Sequence, residues 1–233
     1  MAALVTDQLT CLLRCLVSSS TRVLGVFPAD CVPLRLATPA SASSRQMVIM
    51  ESNVVTSHEG HSLPSLNRNC CFILNTHPNS RPGEHWIAFF YNANTNKLEY
   101  FDSFGLSIQM YAYVYSALRE RDLLQICLPA NAKGMLQSIQ STVCGHYAVL
   151  FLYHRSKYTS APISYFAQTI ARMDTNADER DKRIVGHLRT LTSRHPCCNT
   201  QLFGARAGAR VPCSPSSSQS CCCRASWKDV THI

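Results

Sequence analysis

A thiol, an imidazole and a carboxylate stand where local geometry, rather than packing, would dictate their types: Cys144, His85 and Asp102. His85 follows Gly83-Glu84 and opens an apolar run, HWIAFFYN. Asp102 closes the next run, KLEYFD, and Ser103-Phe104-Gly105 follows it. Cys144 precedes Gly145 and heads CGHYAVLFLYH, which is apolar nearly all round. A thiolate paired with an imidazolium attacks carbonyl carbon, and a carboxylate that accepts from the second ring nitrogen holds the imidazole in place. The oxyanion that forms needs hydrogen-bond donors. The backbone N–H of Cys144 is one. A side-chain amide is a suitable second, and Gln137 and Gln140 lie seven and four residues upstream.

Singly, each residue has a plainer reading. A lone cysteine is a small buried hydrophobe, a histidine at a strand edge is a satisfied polar residue, and an aspartate ending a strand is a turn former. Their conjunction carries the inference: His-Trp at a strand start, Asp-Ser-Phe-Gly seventeen residues later, then Gln-Ser-x-x-Ser-x-x-Cys-Gly before an apolar helix.

The elements that must position them follow from periodicity. Residues 85–92 and 97–102 read as strands joined by a turn at 93–96. Antiparallel pairing about that turn sets residue 102 near residue 87. At about 3.3 Å per residue, this brings His85 and Asp102 to one end of the hairpin. Cys144 at a helix N-terminus feels the positive end of the macrodipole. Gly145 leaves room for a substrate backbone, and Ala148, Val149 and Leu152 anchor the helix. Further strands are expected at 23–27, 70–75 and 123–128. Helices are expected at 4–17, 107–121, 162–172 and 175–191, the last capped by Asp174 or Thr175. The sum is an α+β fold: a small, mainly antiparallel sheet packed with helices, the nucleophile heading a buried central helix.

The 233 residues divide into an N-terminal helix and strand (1–36), an irregular insertion (37–67), a core (68–192) and a low-complexity tail (193–233) expected to be disordered. Hydrophobic residues make up 46 % and charged residues 15 %, which excludes wholesale disorder. No apolar run reaches the roughly 18 residues of a membrane span, so no membrane association is expected. The first residues lack the basic segment of a secretory signal, pointing to an intracellular protein that is not secreted. Net charge is 0 over 1–67, +4 over 68–193 and +4 over 194–233, which tolerates a nucleic-acid surface nearby, but no nucleic-acid-binding motif accompanies it. Six of the 13 cysteines crowd into the tail as an adjacent pair, a lone cysteine and a triplet, without the C-x2-C spacing of a zinc site. No metal or cofactor is expected.

GEHWIAFFYN, LEYFDSFG and LQSIQSTVCGHYAVLFL resemble the adenovirus-type endopeptidases (adenain), and most of all the proteases of Polinton/Maverick DNA transposons and adintovirus-like elements. The SUMO-type ubiquitin-like proteases of the same clan share the His, Asp, Gln, Cys order. VLGVFPADCVP (23–33) looks like the GVFP-x-D-x-x-P segment of the transposon proteases, so the resemblance covers about 23–36 and 68–190. It implies a papain-like clan arrangement and a cysteine endopeptidase that matures viral or transposon capsid precursors, cutting after small residues such as glycine. Alternatives are a deconjugase for SUMO- or ubiquitin-like modifiers and an inactive relic. Carried over residue by residue, it makes Cys144 the nucleophile, His85 the base and Asp102 its acidic partner, where adenain itself has Glu. Gln137, seven residues before the cysteine, becomes the oxyanion donor, with Gln140 the alternative. Trp86 belongs to the His-Trp signature and would wall the site. The implied partners are a polypeptide substrate and, by family habit, DNA or an activating peptide that forms a disulfide. Cys127 stands near where that cysteine would fall. The implied location is the nucleus or a virion-like particle.

Overall fold

The computed structural model describes residues 3–37, 46–49, 66–131, 134–193 and 195. All of the tail but residues 193 and 195, and most of the proposed insertion, fall outside these residues, and with them the expected disorder of the tail. The chain runs α1 (Thr6–Leu16), β1 (Arg22–Phe27), β2 (Leu34–Ala37), β3 (Gln46–Ile49), β4 (Cys70–Asn75), β5 (Trp86–Asn92), β6 (Lys97–Phe101), α2 (Ala112–Glu120), β7 (Cys127–Pro129), α3 (Cys144–Lys157), α4 (Tyr165–Met173) and α5 (Ala177–Thr192).

Five strands form one sheet in the order β1-β4-β5-β6-β7. The three central strands pair antiparallel, and β1 and β7 join the edges in parallel. Every residue of β4 is buried because both faces of the sheet are covered, which is why CCFILN has no polar alternation. Cys71, Ile73, Phe90 and Phe101 turn toward α1, α3, α4 and α5. Phe72, Leu74, Phe89 and Leu98 turn the other way, toward β2, β3 and α2. Phe72 and Phe89, directly opposite in the ladder, stack with centroids 5.0 Å apart. α3 lies in the first layer against β5, buried on every side from Cys144 to Leu152. Phe101, Phe151 and Phe166 lock α3 and α4 onto the sheet, with centroid spacings of 4.9 to 5.8 Å.

Several elements differ from the sequence reading. Residues 46–49, inside the expected irregular insertion, form β3 and pair antiparallel with β2. Leu34, Leu36, Met47 and Ile49 are buried in the second core, so this ribbon covers the sheet rather than hanging off it. The single helix expected over 107–121 is a 3-10 turn at Ile108–Met110 followed by α2, broken at Tyr111. The strand expected at 123–128 begins as a 3-10 turn at Leu124–Ile126 and becomes β7 only at Cys127. Neither Asp174 nor Thr175 caps α5. Asn176 does, its side-chain oxygen accepting from the Asp178 and Glu179 amides at 2.8 and 3.3 Å.

Candidate active site

The β5–β6 register sets Phe101 opposite Ala88, so Asp102 is the first residue past β6 at the end where β5 begins. His85 sits one residue before β5. Its carbonyl accepts from the Thr76 amide at 2.9 Å, which ties it to the end of β4. The hairpin thus brings the two side chains together: His85 Nε2 lies 2.6 Å from Asp102 Oδ1, with both residues buried. Asp102 accepts three further hydrogen bonds. The Phe104 amide donates to Oδ1 at 3.0 Å, and the Leu106 amide and the Tyr111 hydroxyl donate to Oδ2 at 2.8 and 2.9 Å. Burial alone would raise the carboxyl, but these donors and the imidazole outweigh it and hold its pKa below the usual value.

The imidazole ring lies beside Phe104 (centroids 4.7 Å apart, 26° between planes) and near Tyr111 (5.9 Å, 21°). Burial opposes charge on the ring, yet the hydrogen bonds to Asp102 and Cys144 and their negative charge push the His85 pKa up to about 9. Nε2 is committed to Asp102, which leaves Nδ1 as the nitrogen for the Cys144 sulfur. Cys144 is the first residue of α3 and is only 7 % exposed. The imidazolium is therefore the resident form at neutral pH, placed between the Asp102 carboxylate and the Cys144 sulfur.

Gln137 is buried and lines the same cleft as His85 and Cys144. Gln140 is exposed and does not line it. The cleft measures about 910 Å³ and runs between the start of α1, β1 from Leu24 onward and the 77–84 loop. Trp86 borders it and donates its indole N–H to the Leu4 carbonyl at 3.2 Å, which pins the start of α1 over the site. Gly145 does not open space for a substrate. A Cβ there would lie 3.1 Å from Leu9 and 3.3 Å from Leu4, so glycine lets α1 pack onto α3.

An adenovirus endoprotease family model matches residues 62–182, just over half of the chain. The chain belongs to this family. Among curated relatives it is 34 % identical to a protease of human adenovirus B serotype 3, over 36 % of this chain and 44 % of that protein. It is 32 % identical to a protease of bovine adenovirus C serotype 10, over 40 % of this chain and 52 % of that protein. The match thus spans about half the length of these relatives. A solved structure of ChlaDub1 from Chlamydia trachomatis is similar at 12 % identity over 57 % of this chain and 63 % of that one. Its TM-score of 0.39 is too low to build on.

In this family member, three contributors to the site escape sequence reasoning. Tyr111 holds the outer oxygen of Asp102. Asn131 donates to the Asp102 and Gly134 carbonyls, both at 3.1 Å. Ser103 donates its hydroxyl to Gln137 Oε1 at 2.7 Å. No local pattern marks these contacts, which cross up to 34 residues of chain; the only sequence hint is a cluster of polar and aromatic residues directly after Asp102. Gly105, with φ +67°, lets this loop close on its neighbour, since a Cβ there would fall 2.5 Å from the Gly134 carbonyl oxygen. Among the described residues, no group of three or more His, Cys, Asp or Glu side chains is arranged to hold a metal ion. No described helix is long and apolar enough to cross a membrane.

Proposed function

We propose that the chain is a cysteine endopeptidase that matures viral or transposon capsid precursor proteins. The observation that carries the reading is the continuous contact from Asp102 through the His85 imidazole to Cys144 at the head of a buried helix. The Cys144 sulfur, its proton already held by His85, attacks the scissile carbonyl carbon, and the carbonyl oxygen takes up the negative charge. The Cys144 backbone N–H and Gln137 Nε2 stabilise that oxyanion. When the tetrahedral intermediate collapses, His85 gives its proton to the leaving amine. A water, deprotonated by the now neutral His85, then hydrolyses the thioester, which releases the carboxylic acid product and restores the pair in which His85 holds the sulfur's proton. Asp102 keeps the ring facing the sulfur throughout.

Family resemblance extends the proposal to partners and place. The substrate is a polypeptide cut after a small residue such as glycine. DNA or a thiol-bearing peptide activates the enzyme in the nucleus or a virion-like particle. The peptide's docking point is β7, an edge strand that Cys127 opens; burial pushes the Cys127 thiol up to about 12.

The test is hydrolysis of quenched fluorescent peptides with glycine before the scissile bond, with the full chain and its Cys144→Ala variant. Cleavage by the first and none by the second supports the reading. Full activity in the variant overturns it. A SUMO- or ubiquitin-type modifier with a C-terminal electrophile separates the rival: rapid labelling at Cys144 without peptide cleavage means a deconjugase. Neither cleavage nor labelling, with duplex DNA added as well as without it, means an inactive relic.

A further inference from the structure

Gln137 is held at both ends of its amide. Its Nε2 donates to the Ser141 carbonyl at 2.8 Å. Its Oε1 accepts from the Ser103 hydroxyl at 2.7 Å, and both residues are 1 % exposed. The Ser141 carbonyl can only accept, so it decides which end of the amide carries the hydrogens. The second Nε2 hydrogen is then free for the cleft that Gln137 lines. Ser103 closes the other end. Its main chain is engaged as well, since the Ser103 carbonyl accepts from the Leu136 and Gln137 amides at 2.8 and 3.1 Å.

We propose that Ser103 is a positioning residue for the oxyanion hole. Its hydroxyl fixes the Gln137 amide and polarises it, so that Nε2 meets the developing oxyanion without rotating. This rests on the endopeptidase reading above and deepens it. A hydroxyl that donates to an amide oxygen draws electron density toward that oxygen and makes the amide hydrogens better donors, because hydrogen bonds in a chain strengthen one another. Preorganisation adds to this, since an amide already aimed at the oxyanion does not reorganise during reaction. The placement is economical: Asp102 orients the base, and Ser103, the next residue, orients the oxyanion donor. One loop end thereby sets the geometry on both sides of the sulfur.

Two reactions of Cys144 separate this role from a structural one. Peptide hydrolysis builds an oxyanion, whereas alkylation by iodoacetamide displaces iodide and builds none. In the full chain, Ser103→Ala should lower kcat about tenfold with KM unchanged, the scale of one lost hydrogen bond. It should leave the rate of Cys144 alkylation by iodoacetamide unchanged. Ser103→Thr, which keeps the hydroxyl, should restore most of kcat. Gln137→Ala should cost about 100-fold, as loss of an oxyanion donor does, and adding Ser103→Ala to it should cost nothing more, because the two act as one unit. If the alanine variant folds poorly, Ser103→Cys, with its weaker donor, should give an intermediate kcat and unchanged alkylation. Independent, multiplicative losses in the double variant would overturn the assignment. So would equal slowing of alkylation and hydrolysis, or an unchanged kcat in Ser103→Ala. A wild-type chain that cleaves no peptide would instead sink the endopeptidase reading itself.

Discussion

Glu99, in the middle of β6, and Asp102, just past its end, lie three residues apart, and each is buried against a basic partner. Glu99 takes two hydrogen bonds from Arg155, at 2.6 Å from Nε and 2.7 Å from Nη2. The other Arg155 hydrogens go to the Tyr158, Thr159 and Ala161 carbonyls, and the guanidinium sits 5.4 Å from the centre of the Phe90 ring. Asp102 is just as well satisfied, but its partner is not: His85 has one ring nitrogen in reserve, and it faces Cys144. Arginine does not release its proton in proteins, whereas an imidazole can both hold and give one. A pair with every hydrogen committed fastens the end of α3 to the sheet. A pair with one nitrogen in reserve can move a proton. One strand and the residue after it supply both, so the fastener holds the scaffold on which the His85–Asp102 pair is aligned.

The comparison breaks most sharply in activity. Cys144→Ala or His85→Ala should abolish peptide cleavage, and Asp102→Asn should lower kcat on the order of 10³- to 10⁴-fold. Steady-state assays with purified variants measure this. The wild-type rate should also fall about tenfold per pH unit above about pH 9, where His85 loses its proton; a flat profile to pH 11 would contradict the pairing. Arg155→Ala acts on the other pair. It leaves a carboxylate buried without its partner and should cost about 3–5 kcal/mol in urea denaturation. The folded fraction should keep its kcat. Replacing both partners, Arg155→Met with Glu99→Leu, should recover most of that loss, because no buried charge is then left unpaired.

His146 provides a third contrast, a buried imidazole without a partner. Its Nδ1 makes no hydrogen bond, and burial, with the Arg189 charge nearby, pushes its pKa down to about 4. Between about pH 4 and 6.5 the unfolded chain binds this proton and the folded chain does not. Stability is therefore full above pH 6.5 and declines as pH falls toward 4, by about 3 kcal/mol at the lower end. His146→Leu should flatten this part of the pH–stability curve; an unchanged slope would show that other groups set it. The smallest effect is expected at Tyr111. Tyr111→Phe removes one of four donors to Asp102 and should lower kcat several-fold, about 1 kcal/mol in the barrier.

The sheet was legible in the sequence where pattern and burial coincide. CCFILN is apolar up to its final Asn75 and is β4, buried on both faces, and the turn at 93–96 sets the register that carries Asp102 to His85. β2 and β3 were not read, although Leu34, Leu36, Met47 and Ile49 alternate as strand residues should. Each strand is only four residues long, and the partner of each lies across a span with no period of its own. Tyr111 falls inside the span 107–121 expected to form one continuous helix. Its hydroxyl instead reaches Asp102, and the helix breaks there, with φ −108° and ψ 81°. Gly145 was misread because the helix it serves, α1, is more than a hundred residues distant in sequence. Local chemistry and period were readable; contacts made by loops with residues far along the chain were not.

The reactivity of one sulfur tests the central claim most directly. Purified wild type and His85→Ala are exposed to limiting iodoacetamide at pH 6.5, and alkylation at Cys144 is followed by peptide mass mapping. Cys144 of the wild type should react many-fold faster than free cysteine, and the variant should fall to the pace of an ordinary thiol. Equal rates in the two proteins would mean that the imidazole does not act on the sulfur, and the proposed mechanism would fail.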